Sequence, residues 1–217
     1  MYTYSLLKVV SKTICLFLLI FSGLFSAQQN EEFKSVKEHF DYQRYLLANE
    51  FKKHSQSRDA SIDKKELNLQ FSEFMIKLDS IQNSAYIGAL IKVKNREDLS
   101  VLSQNKINNT KQIAPVEEVE TSMPNYPGGI GVLRKEVADL FYFDANISDQ
   151  KEIKTKVTFV VERDGNISSV AAEGDDSNFN RQAMIAVYLL PNKFTPAKIN
   201  GSPVRYHFTL PLTMNFE

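Results

Sequence analysis

Histidine stands at three positions, His39, His54 and His207, and cysteine at one, Cys15. No two of them share the short spacing with which a helix or turn presents paired ligands to a metal, so no zinc site is expected. Gly128-Gly129-Ile130-Gly131 has glycines where a phosphate loop would, but Arg134 occupies the third glycine of a dinucleotide fingerprint and no Gly-Lys-Ser/Thr follows. Those glycines suit irregular backbone ahead of a helix. Asp175-Asp176 and Asp144-x-Asn146 are too short for a calcium loop and read as caps and turns. No serine sits in a nucleophile elbow. The chain is expected to be no enzyme and to need no cofactor.

Composition narrows the classes further. Lys and Arg number 26 against 26 Asp and Glu, so nothing marks a nucleic-acid binder. Residues 1–27 carry Lys8 and Lys12 ahead of an apolar run from Ile14 to Ala27, the layout of a secretory signal peptide. Cleavage after Ala27 would remove the one cysteine and place the product in the periplasm; an uncleaved inner-membrane anchor is the alternative.

Two halves with different grammar follow. Residues 28–110 read as mainly helical, with one stripe of Phe33, Val36, Phe40, Leu47 and Phe51 and another of Leu67, Phe71, Phe74, Leu78 and Ile81. Between the stripes Ser61 or Asp63 offers a cap. Residues 85–95 fit either a strand or the end of the second helix. Residues 111–122 read as a linker.

From residue 123 the order is helix, hairpin, helix, strand. Pro124 to Gly129 form an irregular lead-in, and Val132, Leu133, Val137, Leu140 and Phe141 a helical stripe. Ile153 to Val161 is a strand, Asp164-Gly165 a hairpin turn, and Ile167 to Ala172 the returning strand. A second helix with Phe179, Ala183, Ala186, Val187 and Leu190 on one face stops at Pro191. The fold class is α+β: a small three-stranded antiparallel sheet with two helices on one face, preceded by the mainly helical segment.

The last strand, Val204 to Leu210, is fenced by Pro203 and Pro211. Side chains and amides both alternate along a strand, so Val204, Tyr206, Phe208 and Leu210 share one side and Pro203, Arg205, His207, Thr209 and Pro211 the other. Proline donates no amide, so the odd side must lack a native neighbour and the strand is an edge. Arg205, His207 and Thr209 then offer free amides. Protection of the edge by proline and charge is one reading; addition of a partner's strand is the other. His207 on this side reads as a solvated residue rather than a general base.

Taken together, Pro124-Asn125-Tyr126-Pro127-Gly128-Gly129, Val157 to Asn166, Ala183, Leu190-Pro191-Asn192-Lys193-Phe194-Thr195-Pro196-Ala197, Asn200-Gly201-Ser202-Pro203-Val204 and Tyr206 to Leu212 resemble the C-terminal domain of TonB-type energy transducers, in the form common among Bacteroidetes-like envelope proteins. The resemblance implies a periplasmic binding module whose last strand accepts the TonB box of an outer-membrane TonB-dependent receptor, or a segment of another envelope protein. It also implies, for an anchored chain, contact with the ExbB–ExbD motor and transport of siderophores, vitamins or glycans; a homodimer is a further assembly considered.

Departures from the family pattern accompany the matches. The apolar leader holds no histidine, and Pro115 is the one proline between residues 28 and 120, so no polyproline spacer is present. Phe194-Thr195-Pro196 stands for the family's Trp-x-Pro, and Phe141-Tyr142-Phe143 for Tyr-Pro at the end of the first helix. The expected function is therefore an exported peptide-binding module, with the membrane-anchored transducer as alternative. A third reading leaves the function with the helical half.

Overall fold

A computed structural model describes residues 31–56, 63–104, 121–142 and 152–215. The expectations placed on residues 1–27, Ser61, Asp144-x-Asn146 and most of the linker lie outside these. Helix α1 covers residues 31–55 and α2 Lys64–Gln104. Residues 85–95 belong to α2, which runs unbroken for 41 residues, a length of roughly 60 Å at the helical rise. Asp63 is its cap: the carboxylate accepts from the Lys65 amide at 2.8 Å. Phe51 of α1 stacks on Phe71 of α2 with centroids 4.2 Å apart, and Arg44 binds Asp79 at 2.6 Å, so the pair forms an antiparallel hairpin. Phe74 and Ile81, expected in the buried stripe, are exposed. The apolar residues of α2 are spread around the helix, and α1 covers only one side of it.

The C-terminal unit holds two sheets rather than one. Strand β1 (Thr121–Ser122), helix α3 (Gly129–Asp139), strands β2 (Glu152–Val161) and β3 (Ile167–Gly174), helix α4 (Ser177–Tyr188), and strands β4 (Ala197–Ile199), β5 (Ser202–Val204) and β6 (Tyr206–Asn215) follow in order. Both sheets are three-stranded and antiparallel, one ordered β1-β4-β5 and the larger β3-β2-β6. Thr121 and Ser122, expected in the linker, pair with Ile199 and Lys198. The lead-in is held as well, because Asn125 and Thr195 exchange backbone bonds of 3.0 and 2.8 Å.

Burial follows the period of each element. On β2, Ile153, Val157, Phe159 and Val161 point to the core, while Lys154 and Lys156 face solvent. Leu133 and Val137 of α3 and Phe141 just beyond it are buried as expected, but Val132 is exposed. Asp176 caps α4 by accepting from the Phe179 amide at 2.7 Å. That helix buries Gln182, Ile185 and Tyr188 in addition to its expected stripe, because it is covered on two sides. Phe33 of α1 stacks on Tyr188 at 4.9 Å, and Ala89, Leu90 and Val93 of α2 join the same core as the larger sheet. The helical half and the C-terminal unit thus share one apolar core.

Candidate functional site

The direction of the amides on β6 can be derived from the turn at the other end of β2. The Glu162 amide donates to Asn166 O at 2.8 Å and the Gly165 amide to Glu162 O at 3.0 Å. Glu162 therefore turns both backbone groups toward β3. Even residues of β2 do the same and odd residues face β6. The pairing of β2 with β6 is unbroken from Glu152↔Asn215 to Val161↔Tyr206, so odd residues of β2 meet even residues of β6. The amides of Tyr206, Phe208, Leu210, Leu212 and Met214 close the ladder. His207, Thr209, Thr213 and Asn215 turn theirs outward, and Pro211, opposite Lys156, costs the ladder nothing. Since β6 ends the order β3-β2-β6, the outward row is a sheet edge, and among the described residues no backbone group accepts from His207, Thr209 or Thr213.

Two features of the fenced strand need correction. Pro203 and Pro211 do not bracket one strand: the chain changes sheets at Arg205. Pro203 lies in β5 opposite Lys198 of β4. The two-residue turn Asn200-Gly201, with φ of 50° and 76°, makes Ile199 and Ser202 a hydrogen-bonded pair and Lys198 and Pro203 a non-bonded one. Pro203 thus turns its missing donor away from β4, and Val204 belongs to this smaller sheet. Pro211 lies within β6, which continues to Asn215. The alternation of Leu212, Thr213, Met214 and Asn215 carries that signal in the sequence, and Asn200-Gly201 carries the signal for the missed hairpin.

Arg205 is likewise not part of a continuous row. It stands in the break between β5 and β6, and its guanidinium binds the Glu162 carboxylate at 2.8 Å. Ser168 donates to the same oxygen at 2.5 Å. Arg205 thereby fastens the sheet switch to the β2–β3 turn. His207 and Thr209 remain side by side on the open edge, both exposed, and Thr213 and Asn215 extend the edge beyond Pro211.

Four aromatic residues of the segments that carried the resemblance, Tyr126, Phe159, Phe194 and Phe208, form one cluster behind this edge. Tyr126 lies 5.0 Å from Phe194, which also packs on Phe159 and Phe208 at 5.7 and 5.5 Å. Phe159 and Phe208 stack at 5.1 Å across the β2–β6 pair. Burial and the bonded Glu136 carboxylate push the Tyr126 hydroxyl up to about 12. Gly128 and Gly129 take φ of 81° and 82° to lead into α3. Pro124 is buried, whereas Pro127, Pro191 and Gly201 are exposed and Pro196 is half-buried. Phe194 is thus the joint between the smaller sheet and the strand that presents the edge.

The opposite edge is capped at a bulge. A bulge places Ser169 and Val170 against Phe159, with Ser169 at φ 53°. The Ser169 amide donates to Glu97 Oε1 at 2.7 Å and the Val170 amide to the Tyr188 hydroxyl at 3.3 Å. The Tyr188 hydroxyl in turn donates to Glu97 at 2.8 Å. Helices α2 and α4 therefore occupy the amides of Ser169 and Val170 at the bulge of β3. Glu97 was not singled out by its sequence context, which is an ordinary charged stretch of helix.

Among the described residues no three His, Cys, Asp or Glu side chains come together as a metal site, and no helix is long and apolar enough to cross a membrane. The arrangement can offer backbone donors and acceptors to an extended chain, backed by a rigid aromatic cluster. No family model, curated protein or solved structure matches the chain.

Proposed function

We propose that the protein is an exported, periplasmic peptide-binding module that adds an extended segment of an outer-membrane receptor, or of another envelope protein, to β6. The observation that carries this reading is the asymmetry of the larger sheet. One edge is bulged and capped by Glu97 and Tyr188, while the other turns the amides of His207, Thr209, Thr213 and Asn215 outward. Proteins manage their edges, and an unbulged edge opposite one capped at its bulge is a place for strand addition. The resemblance to TonB C-terminal domains supports the same strand for the same role.

The anchored-transducer alternative needs reach. Phe33 is already in the core and α1 begins at residue 31, so the three residues 28–30 between leader and helix would span about 10 Å at full extension. An anchor formed by residues 1–27 would hold the domain close to its membrane, which favours the released form. Mass spectrometry of the mature N-terminus distinguishes the two, since a retained Met1 or Tyr2 end supports the anchored form.

Strand addition is tested by a photocrosslinker at position 209, on the same exposed edge, placed in cells in both the parent and His207→Pro. The substitution removes an outward donor and leaves the even ladder intact. The crosslinked envelope partner should be lost to the folded variant; equal capture by variant and parent rules strand addition out.

A further inference from the structure

We infer that the trough between α3, the start of α4 and the end of β6 is the side-chain socket of the docking edge. Its occupant is an extended peptide with a large aliphatic residue and, two positions along on the same face, an aspartate or glutamate. The inference rests on the strand-addition reading and adds the identity of the side chains that a strand must carry.

The trough holds about 360 Å³ and is lined by Arg134, Ala138, Phe141, Phe179, Leu212 and Met214 among others. A cavity of about 150 Å³ is enough for a benzene ring, so a large aliphatic side chain fits with room beside it. The inner face of the sheet is unfinished there. Leu210 is fully buried, whereas Leu212 and Met214 are only partly so, because no strand stands outside β6. An added strand would lie about 4.8 Å away and continue the pleat, setting its inward side chains beside Leu212 and Met214 and over the trough.

Charge fixes the second requirement. Arg134 is the one formally charged residue lining the trough, and among the described residues no carboxylate pairs with it. Successive residues on one face of a strand stand roughly 6.7 Å apart, within the span of a long arginine beside an aliphatic neighbour. Pro211 also lines the trough and gives no outward amide. Backbone pairing is therefore interrupted at the point where side-chain recognition begins.

The test is selection of phage-displayed random peptides of about ten residues, the length that would pair with all of β6, on the full chain and three variants. The parent should enrich alternating sequences with an aliphatic residue and an acid two apart. Arg134→Glu should turn the acidic preference basic and weaken acidic peptides by about fivefold, the upper range for an exposed ion pair. Ala138→Trp, checked for an unchanged circular dichroism spectrum, fills the trough. It should abolish the aliphatic preference and weaken the selected peptides by tenfold or more, on the order of the transfer of one buried side chain.

His207→Pro separates this inference from the reading beneath it. If that variant loses the peptides while Arg134→Glu and Ala138→Trp keep the parent's preferences, strand addition stands and the socket is overturned. If His207→Pro retains them, strand addition itself falls, and enrichment of no alternating sequence by the parent removes both. A benzophenone at position 138 that crosslinks to the chain's own residues 143–150 instead of the peptide also overturns the socket.

Discussion

Glu97 and Tyr188, on α2 and α4, are joined by a 2.8 Å bond from the tyrosine hydroxyl to the carboxylate. Both are almost fully buried, and both reach on to amides of the β3 bulge. One polar contact thus ties the helical hairpin, α4 and the bulge of β3.

Glu97→Ala leaves the buried Tyr188 hydroxyl without its acceptor, which costs about 1–3 kcal/mol, and removes the bond from the exposed Ser169 amide to a charged group. A loss of about 3 kcal/mol is expected in urea unfolding. Tyr188→Phe keeps the stack on Phe33 and should lose about 1–2 kcal/mol. Equal, negligible losses for the two variants would mean that water replaces the contact.

Alkaline pH should unfold the protein. Burial, first of all, and the Glu97 charge raise the Tyr188 hydroxyl above its ordinary value, and Tyr126 is raised to about 12. A raised folded value makes the unfolded chain the readier to lose its proton. The stability from these tyrosines is therefore complete below about pH 10, the unfolded value, and falls as pH rises through the folded ones. Thermal melts from pH 8 to 12 check this, with a steep decline expected only above about pH 10 and a shallower one for Tyr126→Phe.

Two turn glycines should respond differently to alanine. At Gly165 a Cβ would lie 2.0 Å from Phe194 O, whereas at Gly201 nothing lies within 4 Å. Both have positive φ, so Gly201→Ala should cost only the left-handed strain, about 1–2 kcal/mol. Gly165→Ala must also push the turn off Phe194, breaking the 3.0 Å bond from the Phe194 amide to Gly165 O. Its loss, measured by denaturant unfolding, should exceed that of Gly201→Ala by a further 1 kcal/mol or so.

Phe194→Ala empties the centre of the aromatic cluster and should cost about 3–5 kcal/mol. Arg205→Ala removes an ion pair whose arginine is more than half exposed and should cost less than about 1 kcal/mol. A large effect at Arg205 on stability would show that the sheet switch depends on this pair.

The order of elements after residue 123 was legible because each one is a local matter. Leu133 with Val137, Ile153 with Val157, and Phe179 with Ala183 repeat at the period of the helix or strand they form. Asp164-Gly165 marks its turn, and proline's missing donor predicts the open side of β6 before any neighbour is known. Which sheet a strand joins is not local. Val204 to Leu210 read as one alternating run, yet a hairpin at Asn200-Gly201 claims Val204 and β2 claims the rest from Tyr206.

Burial of the helices was settled by tertiary partners in the same way. Tyr188 and Ile185 are covered because α2 lies across α4, and Phe74 and Ile81 are exposed because α1 leaves that flank of α2 bare. The acidic side chain of Glu97 looked like any other on a charged helix; only packing brought it to the amide of Ser169 and the hydroxyl of Tyr188. Sequence alone determined the period and the missing donors, since these follow from one residue and its neighbours in the chain. Tertiary structure decided the partners, because pairing and desolvation depend on segments that lie tens of residues apart.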